Sequence, residues 1–140
     1  MARFVVDANV IVQACIDKAG LGPLAGHELL APPVMASEAV STLRAMSFRG
    51  EISTELSRAA LDSFLALDFT VESPSSLWEE ATDASRQLGW AKTYDAEYVA
   101  LARILGCPLV TLDARMARGA LWYFSGVITG PKAFDLRPSV

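Results

Sequence analysis

The sequence predicts an α/β domain built on a largely parallel sheet. Short β-branched apolar runs alternate with longer segments of helical periodicity. Two of those runs, Phe4-Val5-Val6 and Leu109-Val110-Thr111-Leu112, end at an aspartate. In parallel α/β sheets the active crevice lies beyond the carboxyl ends of the strands, so this placement bears on function as well as fold. The chain has 140 residues, 52% of them hydrophobic and 20% charged. That suits one domain spanning residues 1–140, large enough to bury a core without a disulfide or metal staple.

The elements follow in order. Ala2 to Val6 reads as a buried strand ending at Asp7, and Val10 to Asp17 as a short helix. Lys18 to His27 carries Gly20, Gly22, Pro23 and Gly26 and reads as a loop. Glu28 to Ala31 forms a second strand, stopped by Pro32 and Pro33. Pro33 then opens a helix to about Arg49, with Gly50 past its end. A third helix follows Ser53 and reaches Leu67, and Phe69 to Glu72 is a strand. Ser76 and Glu79 make a capping-box pattern for a fourth helix, whose apolar stripe is Leu77, Ala81, Ala84 and Leu88 and whose stop is Gly89. Thr93 caps a fifth helix through Leu105, ended by Gly106. Pro108 to Leu112 is the next strand, ending at Asp113; a short helix and a strand around Val127 to Thr129 follow.

The net charge is −4, which at first argues against a nucleic-acid partner. Setting aside four carboxylates, Asp7, Glu38, Asp95 and Asp113, leaves acids and bases balanced at twelve each. Charge therefore does not exclude a nuclease, but it predicts weak general affinity and a need for cations to bridge protein and phosphate. Cys15 and Cys107 lie far apart in apolar context, as buried thiols in a reducing compartment do. The apolar run after Arg3 is interrupted at Asp7 and Asn9, so no export signal is expected there. No stretch approaches the roughly 20 apolar residues that span a bilayer. A cytoplasmic protein without a membrane partner is the expectation.

Each of the four carboxylates has a plain structural reading. Asp7 and Asp113 suit helix N-caps. Glu38 suits a solvent-facing side chain, and Asp95 suits the positive end of a helix dipole. Asp95 shares a face with Val99 and Ala102 and is expected to point toward the sheet, with Glu97 turned away. Together the four ask for more. A doubly wound sheet brings the ends of the Asp7 and Asp113 strands side by side, with the Glu38 and Asp95 helices above. Carboxylates that close repel, and some must take up protons unless cations intervene. Hard oxygen donors without His or Cys suit Mg²⁺ or Mn²⁺.

In this order, Val-Val-Asp-Ala-Asn, an isolated Glu in an early helix, Tyr-Asp-Ala-Glu-Tyr-Val-Ala-Leu-Ala and Leu-Val-Thr-Leu-Asp resemble PIN-domain nucleases, most closely the VapC-type toxins of bacterial toxin–antitoxin modules. The resemblance runs from Phe4 to about Phe134. It implies a three-layer α/β/α sandwich around a mainly parallel sheet of roughly five strands. It also implies cleavage of single-stranded RNA to 5′-phosphate and 3′-hydroxyl ends, with Mg²⁺ or Mn²⁺ as cofactor. Asp7, Glu38, Asp95 and Asp113 take the family's acidic positions, with Asp7, Asp95 and Asp113 as metal ligands. Asn9 and Thr111 match the small polar residues that support them. After Asp113 many relatives carry a further acid, whereas this chain reads Ala-Arg-Met-Ala-Arg, which points to one tightly held ion and a second recruited with RNA. A toxin also implies a cognate antitoxin, and surplus apolar surface on the helices around Leu43–Phe48 and Leu61–Leu67 suits a homodimer.

Arg115 and Arg118 read either as contacts to RNA phosphates beside Asp113 or as solvated charges. Trp78 and Trp122 read as core or interface residues, and Trp90 as an RNA or antitoxin contact. His27, the one histidine, reads as a surface loop residue. Two further readings stay open at this level: a housekeeping RNA-processing nuclease of the same fold, and a non-catalytic RNA-binding or signalling domain. A phospho-receiver would want paired acids after the first strand, and only one is present.

Overall fold

A computed structural model describes residues 2–17, 22–123 and 126–128. Five short strands, β1 (Arg3–Val6), β2 (Glu28–Ala31), β3 (Thr70–Val71), β4 (Leu109–Val110) and β5 (Val127–Ile128), form one sheet in the order β3-β2-β1-β4-β5. All neighbours run parallel. Val5 pairs with Leu30 on one side and Leu109 on the other, and all three are fully buried, as expected of strands covered on both faces.

The chain winds outward from β1 through β3, then returns to lay β4 on the opposite side of β1. Right-handed crossovers therefore put α1 (Ala8–Ile16), α2 (Val34–Phe48) and α3 (Thr54–Ala66) on one face. The other face carries α4 (Leu77–Leu88), α5 (Tyr94–Leu105) and α6 (Ala114–Tyr123). The first three pack on one another, α4 packs on α5, and α5 lies against β1 and β4. This is the three-layer α/β/α arrangement. The strand order reverses between β1 and β4, and that switch point is where such folds open a crevice.

Most predicted boundaries hold within two residues, and the exceptions have physical causes. The first helix begins at Ala8 rather than Val10. β4 stops at Val110 because Thr111 leaves the ladder to serve side-chain hydrogen bonds described below. The capping box at Ser76 does not form: its backbone (φ −88°, ψ 0°) lies outside the extended region a cap needs, and no side-chain cap is made. Thr93 fails for the same reason. Ser53, extended at φ −70° and ψ 160°, does cap α3 by accepting from the Leu56 N–H at 3.0 Å. Gly89 and Gly106 end α4 and α5 in the left-handed conformation. Lys18, Gly20 and Thr129, named in the predicted loop and last strand, lie outside the described residues.

Cys15 and Cys107 are buried and unpaired, and burial raises both thiol pKa values, so neither is a ready nucleophile. His27 is less exposed than a loop histidine should be. Its ring meets Phe4 edge-on at 5.2 Å, and neither nitrogen has a partner among the described residues. Among the described residues no helix is long and apolar enough to cross a membrane.

Candidate active site

β1 delivers Asp7 to the switch point with its side chain buried, and its backbone N–H bonds to the Val110 carbonyl of β4 at 2.9 Å. Asp7 occupies the N-cap position of α1 yet makes no side-chain cap, so the capping explanation fails for it. Its Oδ2 instead accepts from the Thr111 hydroxyl at 2.8 Å. The same Thr111 oxygen accepts the Asp113 N–H at 3.0 Å, and Asn9 Oδ1 accepts the Leu112 N–H at 3.2 Å. Asn9 and Thr111 thus tie the end of β1 to the loop after β4. Thr111, wholly buried, links the carboxylate of Asp7 to the backbone of Asp113.

Asp113 does perform its structural role. Its Oδ1 accepts the N–H groups of Arg115 and Met116 at 2.9 and 3.1 Å and so caps α6. Asp95, in the first turn of α5, faces the strand ends and accepts from Arg115 Nη2 at 2.6 Å. Glu38, on α2, accepts from the Tyr98 hydroxyl at 2.6 Å. Tyr98 is fully buried and lies one turn beyond Asp95 on α5. Its hydroxyl pKa is driven up first by burial and then by Glu38, so it stays a donor. The sequence motif contained Tyr98 but gave no role to its hydroxyl; the i, i+3 spacing from Asp95 was the available signal.

The electrostatics confirm that the four acids share one region. Burial raises the Asp7 carboxyl to about 7, and the charges of Asp95 and Glu38 add to the rise, while Thr111 offsets part of it. Burial also raises Glu38, with Tyr98 lowering it and Asp95 raising it. Burial raises Asp95 too; Arg115 pulls it down and Asp113 pushes it up.

One orientation is corrected. Glu97 is not turned out to solvent: it is 6% exposed, its Oε1 has no partner among the described residues, and burial raises its pKa, with the Trp78 side chain offsetting part of the rise. The cause lies in α5, where every residue from Ala96 to Ala102 is buried, so the helix has no outward face for Glu97. Trp78 and Trp122 are 63% and 89% exposed, which excludes the core alternative for both. Trp90 is half-buried under the Arg115 guanidinium, which lies 4.9 Å from its ring centroid.

The donor set of carboxylates and one hydroxyl, without His or Cys, fits a hard divalent cation. Asp7 supports the fit: a buried acid with acids for neighbours has its charge matched best by an added cation. Among the described residues no three acids are grouped tightly enough to hold an ion by themselves. Substrate or water oxygens must therefore complete any shell.

Fold and site define a class: a doubly wound α/β domain with carboxylates at its switch point. The family profile described as PIN domain matches residues 4–120. Ribonuclease VapC9 of Mycobacterium tuberculosis is 33% identical over 114 residues, covering 81% of this chain and 87% of that protein. The chain belongs to the PIN-domain family and, within it, to the VapC group. Among solved structures, PAE2754 from Pyrobaculum aerophilum superposes with a TM-score of 0.75 at 20% identity, covering 95% of this chain and 93% of that one. VapBC2 from Rickettsia felis, bound to a DNA fragment from its promoter, gives 0.60 at 15% identity, covering 91% and 97%. At those identities the likeness is one of fold.

Proposed function

We propose that the chain is a divalent-metal-dependent endoribonuclease and the toxin of a VapBC-type toxin–antitoxin pair. The observation that carries the chemistry is the carboxyl of Asp7, buried at the switch point and raised to about 7 beside Glu38 and Asp95. Kinship with VapC9, a ribonuclease by name, supports RNA as the substrate.

In this reading Asp7, Asp95 and Asp113, with water or substrate oxygens completing the shell, would hold Mg²⁺ or Mn²⁺, which would supply a Lewis acid for the phosphodiester. The chain's own residues do the rest. Thr111 and Asn9 fix the spacing of the strand ends. Tyr98 aims Glu38, whose raised pKa suits it to take a proton from the attacking water. Arg115 and Arg118 hold RNA phosphates. The protein works in the cytoplasm as a homodimer, to which the exposed Phe48 and Leu65 would contribute apolar contact.

The test is cleavage of single-stranded RNA in Mg²⁺ or Mn²⁺, with chelator as control. The Asp7→Asn/Asp95→Asn double variant should lose activity by at least about 100-fold. Equal cleavage by both proteins ends the assignment. Growth arrest on expression, relieved by a co-expressed antitoxin, separates the toxin from a housekeeping RNA-processing enzyme.

A further inference from the structure

Beside the carboxylate site a groove of about 610 Å³ runs along α6 and the end of α4, lined by Gln87, Arg115, Arg118, Gly119 and Trp122 among others. That volume is typical of ligand pockets. Positions 115, 118, 119 and 122 stand at i, i+3, i+4 and i+7, so one helix face presents two guanidiniums and an indole, with no side chain at Gly119 between them. Arg115 also lines the neighbouring pocket of about 360 Å³ that contains Glu38 and Asp95. The two spaces therefore adjoin, with Arg115 as their shared wall.

Charge says what the groove takes. In a chain of net charge −4, Arg3, Arg49, Arg86 and Arg115 each pair with a carboxylate. Arg118 makes no such ion pair among the described residues. Trp122 leaves its ring open at 89% exposure, a costly placement for an indole unless something stacks on it. An unpaired guanidinium one helical turn from an open indole matches a phosphate and its base.

We propose that this groove is a nucleotide subsite: it takes the RNA residue flanking the scissile phosphate, with the base stacked on Trp122 and the phosphate held by Arg118 and Arg115. The assignment rests on the ribonuclease reading above and adds where the strand leaves the acids. A segment of a partner protein is the competing occupant, and the carboxylate pocket on the other side of Arg115 favours RNA.

The experiment measures binding apart from cleavage. In an Asp7→Asn background, fluorescence anisotropy reads the affinity of short single-stranded RNA in Mg²⁺. Trp122→Ala should weaken binding about 5- to 100-fold. Arg118→Gln should weaken it and reduce the salt slope by about 0.7. Both residues are exposed, and a thermal melt of each variant is the control for folding. An abasic residue moved along the oligonucleotide should match the Trp122→Ala loss at one position and add nothing there in the Trp122→Ala protein. Unchanged RNA affinity in both variants overturns the subsite. So does unchanged RNA affinity with weakened antitoxin capture, which gives the groove to the partner. Absence of RNA cleavage by the unsubstituted protein is a separate result and defeats the ribonuclease reading itself.

Discussion

Asp7 carries an acid's charge where water barely reaches, and that has a measurable consequence. Its carboxyl rises from 3.8 to about 7, chiefly by burial. Between those values the native state holds a proton that the unfolded state has lost. The contribution of Asp7 to stability is therefore greatest below about pH 4, falls as pH climbs to about 7, and stays low above it. The full span corresponds to roughly 4 kcal/mol. Asp7→Asn should remove most of that slope and stabilise the metal-free protein at pH 8, read by urea melts at pH 5 and pH 8; an unaltered slope would show that Asp7 ionises freely. Tyr98→Phe tests the neighbouring pair. Its hydroxyl lowers Glu38, so losing it should move the acidic limb of the pH–rate profile to higher pH and cut kcat by roughly 10-fold. An unmoved limb would make Tyr98 merely structural. At this scale the sequence was legible wherever an acid met a strand end or a helix start, as at Asp7 and Asp95. It was opaque at Glu97, because periodicity assumes an exposed face and Ala96 to Ala102 have none.

α6 shows what an element adds beyond its residues. Glycine inside a helix costs roughly 1 kcal/mol relative to alanine, so Gly119 needs a reason. A Cβ there would lie 2.6 Å from Cζ2 of Trp90, whose other contact is the Arg115 guanidinium. The helix gives up propensity so that the indole can seat against it and hold Arg115 beside Asp95. Gly119→Ala should thus destabilise the protein by about 1–2 kcal/mol through overpacking. The same change in a Trp90→Ala background should be stabilising, since only the propensity gain remains. A thermal melt of the four proteins reads both signs, and destabilisation in both backgrounds would remove Trp90 from the explanation. Element boundaries were legible where glycine or proline punctuates the chain, as at Gly89, Gly106 and Pro33. They were misread at Ser76 and Thr93, where residue type suggested a cap but the backbone angle did not permit one.

Across the whole molecule, the fold gathers acids from four distant segments because the strand order reverses between β1 and β4. Alternation of strands and helices made the parallel sheet legible, and the aspartates after β1 and β4 stand at its carboxyl edge. What stayed hidden is the pairing of Glu38 with Tyr98 and of Asp95 with Arg115, since neither partner is near in sequence and both depend on helix packing. The convergence makes a global prediction about cations. A divalent ion held by Asp7 must displace the proton that Asp7 carries below about pH 7, so proton and metal compete. Any ligand that binds only the native state stabilises it, by about 2.7 kcal/mol at a hundred times its Kd. At one fixed Mg²⁺ or Mn²⁺ concentration, the rise in Tm should therefore be larger at pH 8 than at pH 5.5, and chelator should abolish it at both. Asp7→Asn should shrink the rise at pH 8 and remove its dependence on pH. Equal shifts at the two pH values would place the ion elsewhere, away from the buried carboxyl at the end of β1.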